Sequence, residues 1–315
     1  MIQDRIADRW LRRRFSVLCW TVVIYELLLN ILCAVAISAD ALRQILQAMQ
    51  SGDFSGMIDE ERLLQNGWGY VATFAVGGVI LYGWKGRNFF QSDRKKKPGP
   101  MSAGAFFVCV SIMLGIQYVF YLWTELVDLV MGFFGGSVEE MMEAASLPAN
   151  SFSIVLYSAL LAPISEELLF RKLVQGSLMP FGKRFAIVTS ALLFGLFHGN
   201  FLKIPYAFAM GLILGYVAAE YSVWWSIALH AFNNFVLGDV MVWLSERLPE
   251  LVLNGIGAVM LLYALASVGI LIHSREDIRA FRAERMDRRC LKCLFTNSGM
   301  IALLILTAIL MSMTA

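Results

Sequence analysis

Charge is what this chain has little of. Only 16% of its 315 residues are Asp, Glu, Lys or Arg, against 58% hydrophobic, with a mean hydropathy of +0.66. A soluble globular domain carries roughly a quarter charged residues, so this composition belongs in a bilayer. The net charge is only +2, and no basic run is interleaved with aromatics, which excludes nucleic acid as a partner. Cysteine is sparse too: of Cys19, Cys33, Cys109, Cys290 and Cys293, the first three fall inside apolar runs, so no disulfide framework is expected. Cys290 and Cys293 form one isolated CxxC without the second pair of a zinc ribbon, and packing is the expected role. Histidine occurs three times, at His198, His230 and His273. His273 sits beside Ser274 and Arg275 at the end of an apolar run and reads as an interfacial residue without a role.

What is present is a series of nine apolar runs, near 16–38, 68–84, 103–123, 151–170, 185–202, 204–220, 223–244, 251–273 and 296–315. Each approaches the roughly 20 helical residues that cross a hydrocarbon core of about 30 Å. The expected fold is therefore all-α, a polytopic transmembrane helix bundle of eight to nine spans. The first run is too long for a cleavable signal peptide and is expected to stay as an anchor. Lys and Arg alternate along the chain. The N-terminus and segments 85–101, 171–184 and 274–295 hold 22 of the 26, whereas 124–150 has five acids and no base. The positive-inside rule then makes this an integral, multi-pass membrane protein with a cytoplasmic N-terminus, in contact with membrane lipids. The first half of 39–67 has helical spacing and is expected to lie on the outer interface; 274–295 is expected to form a basic amphipathic helix on the inner leaflet. Three regions follow: N-terminal helices and loops over 1–149, a catalytic helical core over 150–244, and C-terminal helices over 245–315 that include the basic segment.

The core is set apart by polar residues at membrane depth. In "SALLAPISEELLFRKLV" two carboxylates, Glu166 and Glu167, stand inside an apolar run, at about 2.5–3.5 kcal/mol each on insertion scales. Arg171 follows Glu167 by four residues, one helical turn on, and is its expected ion-pair partner. Glu166 points about 100° away around the helix, is left without a local partner, and is the candidate for chemistry. Pro180 and Gly182 mark a turn; Glu166 lies sixteen residues before Gly182 and His198 sixteen after, so an antiparallel hairpin brings them to one depth. Gly195 and Gly199 flank His198 with small residues that permit close helix approach. His230 and Asn234, four apart, share a helix face. Asn233, Asp239, Glu26 and Gln117 are read as interhelical hydrogen-bonding residues.

"EELLFR", "FGLFH" and "HAFNN" read in order as EExxxR, FxxxH and HxxxN over about 95 residues. This set resembles the CAAX protease and bacteriocin-processing (CPBP, Abi) family of intramembrane endopeptidases, which includes the CAAX prenyl endopeptidases. The resemblance implies a hydrolase acting on a protein or peptide; prenylated proteins and peptide precursors both fit. It also implies that Glu166 activates water, that His198 holds that water, and that His230 and Asn234 donate to the oxyanion. Glu167, Arg171 and Phe194 occupy the supporting motif positions. A zinc metalloprotease with Glu166, His198 and His230 as ligands is the rival mechanism. The metal-free one is favoured because Asn234 is a poor zinc ligand and a good oxyanion donor, so no cofactor is the preferred expectation. The motif helices are expected to meet near the cytoplasmic side. A non-catalytic immunity or scaffold protein of the same fold and a proton-coupled transporter are the alternatives.

Overall fold

The computed structural model describes residues 2–91, 100–138, 141, 151–245 and 247–313, and among them there are helices and no strand. We number the helices α1 (Ile2–Ser51), α2 (Glu60–Leu64), α3 (Trp68–Gln91), α4 (Ala103–Gly132), α5 (Phe152–Phe181), α6 (Lys183–Phe197), α7 (Lys203–Glu220), α8 (Val223–Ser245), α9 (Glu250–His273), α10 (Arg275–Ala283), α11 (Arg288–Phe295) and α12 (Ser298–Met313). Among the described residues α1, α4, α5, α8 and α9 are each long and apolar enough to cross a membrane, and α11 with α12 make a sixth such element bent by 56°. The chain is thus a polytopic helical bundle. The shorter α6 and α7 form an antiparallel hairpin packed between the longer elements.

Two expectations change. The first half of 39–67 does not lie flat on an interface: it continues α1 unbroken to Ser51, because no proline or glycine interrupts the chain from Phe15 to Ser51. Asp40, on this extension, binds Arg43 at 3.2 Å and Arg62 at 3.5 Å, which ties the next segment back onto α1. The basic segment 274–295 is two helices rather than one. Its break lies at Glu284, whose carboxylate accepts from the Arg184 backbone N–H at 3.1 Å at the start of α6, while Asp287 caps α11. Cys290 and Cys293 are buried on α11 in the core shared with α1, so that pair packs.

The central core joins the first helix, the last two and the motif helices. Phe15, Val22, Phe170, Leu173, Phe185, Phe194, Cys293 and Met300 are all buried in one cluster. Burial at roughly 25 cal/mol per Å² needs close contact, and glycine supplies it at the hairpin. A Cβ on Gly195 would lie 3.0 Å from the Ile204 carbonyl oxygen, and one on Gly199, whose φ is +57°, would lie 2.9 Å from Leu310. Gly195→Leu should therefore push α6 and α7 apart, at the about 1–3 kcal/mol typical of overpacking, and lower the unfolding midpoint in detergent by several degrees. An unchanged midpoint would show that this contact is not tight.

Candidate active site

The site is built on α5, α6 and α8, and two of these, α5 and α8, carry irregular turns. The helical turns of α5 widen to the π form at Tyr157–Leu161 and again at Leu168–Gln175, on either side of the two glutamates, and those of α8 do so at Asn233–Val240. Such turns loosen the i to i−4 ladder and free backbone carbonyls for other donors. Both widened stretches of α5 use that freedom: the Ser158 carbonyl accepts from Asn234 Nδ2 at 3.0 Å, and the Phe170 carbonyl accepts from Ser190 Oγ at 2.7 Å.

Glu167 is fully buried and surrounded by partners. Arg171 Nε donates to its Oε2 at 3.1 Å, Ser226 Oγ lies 2.5 Å from the same oxygen, and His230 Nδ1 lies 3.0 Å from Oε1. Arg171 also donates from Nη1 to Ser190 Oγ at 3.0 Å and stacks over Phe194, 4.9 Å from the ring centroid. A charge removed from water in a bilayer is tolerable only when paired and hydrogen-bonded, and this carboxylate meets both conditions. Its carboxylate accepts the His230 Nδ1–H, so in the neutral ring Nε2 carries the lone pair.

Glu166 stands apart from that network. It is buried, and its Oε2 lies 3.8 Å from His230 Nε2, too long for a direct hydrogen bond and short enough for one water to touch both groups. His198 caps the C-terminal end of α6, with Nδ1 2.9 Å from the Phe194 carbonyl; a carbonyl only accepts, so Nδ1 carries the proton and Nε2 is left as acceptor. Phe194 is the wedge between the two imidazoles: its ring meets His198 edge-on at 4.8 Å and His230 edge-on at 5.6 Å. Phe170 and Phe194, each twelve residues from Gly182, meet at 5.2 Å, so the hairpin register places α5 and α6 residues at matching depth.

Asn234 is held on both sides, by the Ser158 carbonyl and by Asn233 Nδ2, which donates to its Oδ1 at 3.2 Å. Asn233 itself accepts from Tyr206 at 3.1 Å, and Asp239 accepts from Ser158 Oγ at 2.8 Å. The Asn234 amide thus keeps one N–H beyond the bond to Ser158. Glu26, on α1, is buried with Asn30 Nδ2 3.1 Å from its Oε1, and lies within electrostatic reach of Glu166. Sequence reasoning did not single out Ser190, Ser226, Ser158 or Tyr206. The first two carried a signal, since each stands four residues before a motif residue, Phe194 and His230.

The donor set bears on a metal. Both imidazoles turn Nδ1 to an acceptor and leave Nε2 free, which is how zinc-binding histidines are oriented. Among the described residues, however, no group of three His, Cys, Asp or Glu side chains is arranged to hold a metal ion. This arrangement does not fit a zinc centre.

Comparison with known families bears on the same segment. Residues 148–236 match the family described as Rce1-like, type II CAAX prenyl endopeptidase. The match supports the CAAX protease family. It spans the three motifs, the π-distorted parts of α5 and the first half of that in α8, and leaves the flanking helices unmatched. No curated protein and no solved structure matches the chain.

Breaking the buried pair from one side leaves a bare charge. Arg171→Leu should lose about 3–5 kcal/mol of stability. The double variant Glu167→Gln with Arg171→Leu should lose clearly less, because both charges go together. Denaturation of the two in mixed micelles compares them; equal losses would mean that the pair is not coupled.

Proposed function

We propose that this protein is an intramembrane endopeptidase that hydrolyses a peptide bond of a membrane-associated protein or peptide, with Glu166 as the base that activates water. The observation that carries this reading is the unequal setting of two adjacent carboxylates. Glu167 is saturated with partners, whereas Glu166 faces the free Nε2 of His230 across a gap of 3.8 Å, short enough for one water to touch both. A buried carboxylate that no donor holds in a direct hydrogen bond retains the basicity that a general base needs.

In the proposed reaction Glu166 removes a proton from water as its oxygen bonds to the carbonyl carbon of the substrate. His198 Nε2 accepts a hydrogen bond from the same water and fixes its direction. The developing oxyanion is met by the remaining Asn234 N–H and by His230, protonated at Nε2 while Glu167 balances its charge. Collapse of the tetrahedral intermediate breaks the carbon–nitrogen bond, and the proton held by Glu166 passes to the leaving amine. Glu167 and Arg171 act through His230: they hold its ring and tautomer. Phe194 keeps the two imidazoles apart and excludes water from the Arg171 side. No step requires a metal. The family match favours a protease over the scaffold and transporter alternatives, and its printed description points to prenylated CAAX proteins as one substrate class.

Glu166→Gln should abolish cleavage, read as the loss of specific new termini when proteomes of cells carrying either form are compared. Asn234→Ala should reduce the rate by about 10²–10³, as expected for one oxyanion donor, and His273→Ala should leave it unchanged. Undiminished cleavage by the Glu166→Gln protein would overturn the assignment. Activity that disappears on treatment with a strong chelator and returns with Zn²⁺ would replace the metal-free mechanism by a zinc one.

A further inference from the structure

A cavity of about 350 Å³ lies on the flank of the bundle between α1, α3 and α5. α1 contributes Thr21, Tyr25 and Leu28, and α3 contributes Phe74, Gly78 and Leu81. Spacings of three and four residues put each set on one face of its helix. α5 closes the cavity with Ser165, Leu168 and Leu169. The walls are aliphatic and aromatic apart from a few hydroxyls, so an apolar chain matches them and a charged ligand would lose its hydration there.

The cavity borders the candidate site. Ser165 directly precedes Glu166, and the Tyr25 hydroxyl neighbours Ser165 within electrostatic reach of Glu166. Tyr25 also meets Phe197, the residue before His198, at 5.9 Å between ring centroids. Another part of the wall is Trp84, where Lys85 Nζ stands 3.8 Å from the ring centroid at the start of the basic segment 85–101. On α1 the lining begins at Thr21, soon after the arginines of the N-terminus. By the charge rule this is the inner-leaflet half of the bundle.

Glycine shapes the space. A Cβ on Gly77 would lie 2.8 Å from Tyr25 Cε2, so that glycine lets α1 and α3 approach. A Cβ on Gly78 would meet nothing within 4 Å, so any side chain there would project into open space at the cavity. An apolar cavity of about 150 Å³ holds one benzene ring, so by proportion 350 Å³ has room for roughly fourteen carbons. That is close to a farnesyl group and short of a geranylgeranyl group.

We propose that this cavity holds the isoprenyl chain of the substrate and selects it by length, with Gly78 as the residue that sets the length. The proposal rests on the endopeptidase reading and the family description for the substrate, and on the cavity for where the chain lies. Two of its three walls, α1 and α3, stand outside the matched residues 148–236. Bond cleavage and choice of chain therefore reside in different parts of the protein. A chain seated here comes from the inner leaflet and leaves its peptide beside Glu166. A C-terminal CaaX motif carries its lipid on the cysteine within a few residues of the chain end, which suits a lipid pocket next to the base.

The experiment uses the full chain in phosphatidylcholine vesicles, as Glu166→Gln to prevent turnover, with a CaaX peptide whose cysteine carries a diazirine-tagged farnesyl group. Photolysis should label cavity-lining residues of α1, α3 or α5, and excess untagged farnesyl peptide should remove the label. Gly78→Phe fills the space and should lower farnesyl labelling about tenfold while a tagged geranyl peptide is labelled as before. Leu28→Trp fills it from α1 and should do the same, should the first variant fail to insert. Gly83→Phe, on the same helix and also without a neighbour within 4 Å of its Cβ, does not line the cavity and should change nothing. Three results each overturn the proposal: label on other helices, farnesyl labelling that both filling variants leave intact, or a diazirine phospholipid that labels the same residues and is not displaced by farnesyl peptide. The last would make the cavity a site for bilayer lipid. Labelling requires no turnover, so a Glu166→Gln protein that still cleaves would defeat the enzymatic reading and leave a displaceable label standing.

Discussion

One buried anion organises this bundle. The Glu167 carboxylate is sealed from water and lipid, and a charge in that position persists only if every lone pair is answered. Its partners come from different helices: Arg171 on α5 itself, and Ser226 and His230 on α8. Arg171 extends the set to Ser190 on α6, and Ser226 lies 3.0 Å from the Leu214 carbonyl on α7. Apolar helices in lipid have little hydrophobic reason to prefer one rotation over another, since lipid tails are as apolar as leucine. A shared charge supplies that preference, because a rotation of α5, α6 or α8 would leave a donor or the carboxylate unpaired.

The same constraint divides labour between neighbouring residues of identical chemistry. Glu166 and Glu167 differ in direction by about 100° around the helix, which turns one into the network and the other toward the His230 Nε2. His230 stands between them, one ring nitrogen to each carboxylate. Phe194 completes the arrangement with an aromatic face for the Arg171 guanidinium and edge contacts to both imidazoles. The widened turns of α5 release the two carbonyls, of Ser158 and Phe170, that bind Asn234 and Ser190 across helix boundaries. The placement of these groups comes from hydrogen bonds between helices rather than from loops.

Much of this was legible in the chain. Helical class follows from apolar runs of spanning length, because no other backbone arrangement without a closed barrel satisfies its own hydrogen bonds in lipid. The Glu167–Arg171 spacing and the Glu166–Gly182–His198 symmetry rest on the pitch and rise of a helix, which sequence separation determines. Ser226 and Ser190 were available to the same reasoning at four-residue spacing, yet an isolated serine in a span usually bonds its own backbone, as Thr21 and Thr73 do here. Glu26 was less accessible still: its local partner is Asn30, and its nearness to Glu166 depends on how α1 lies against α5. Nor do spacings show where α1 ends or that Glu284 breaks the basic segment, since the second of these is a contact between residues 100 apart.

The sequence by itself determined that this is a membrane bundle and at what helical phase its polar motif residues stand, because composition, pitch and charge alternation are local properties. Only the tertiary structure decided what else surrounds each carboxylate, that Phe194 separates two histidines, and that Ser190 and Ser226 join the buried network. Those outcomes depend on the mutual rotation and relative length of helices far apart in the chain. No spacing within a single helix encodes how deep its neighbour extends.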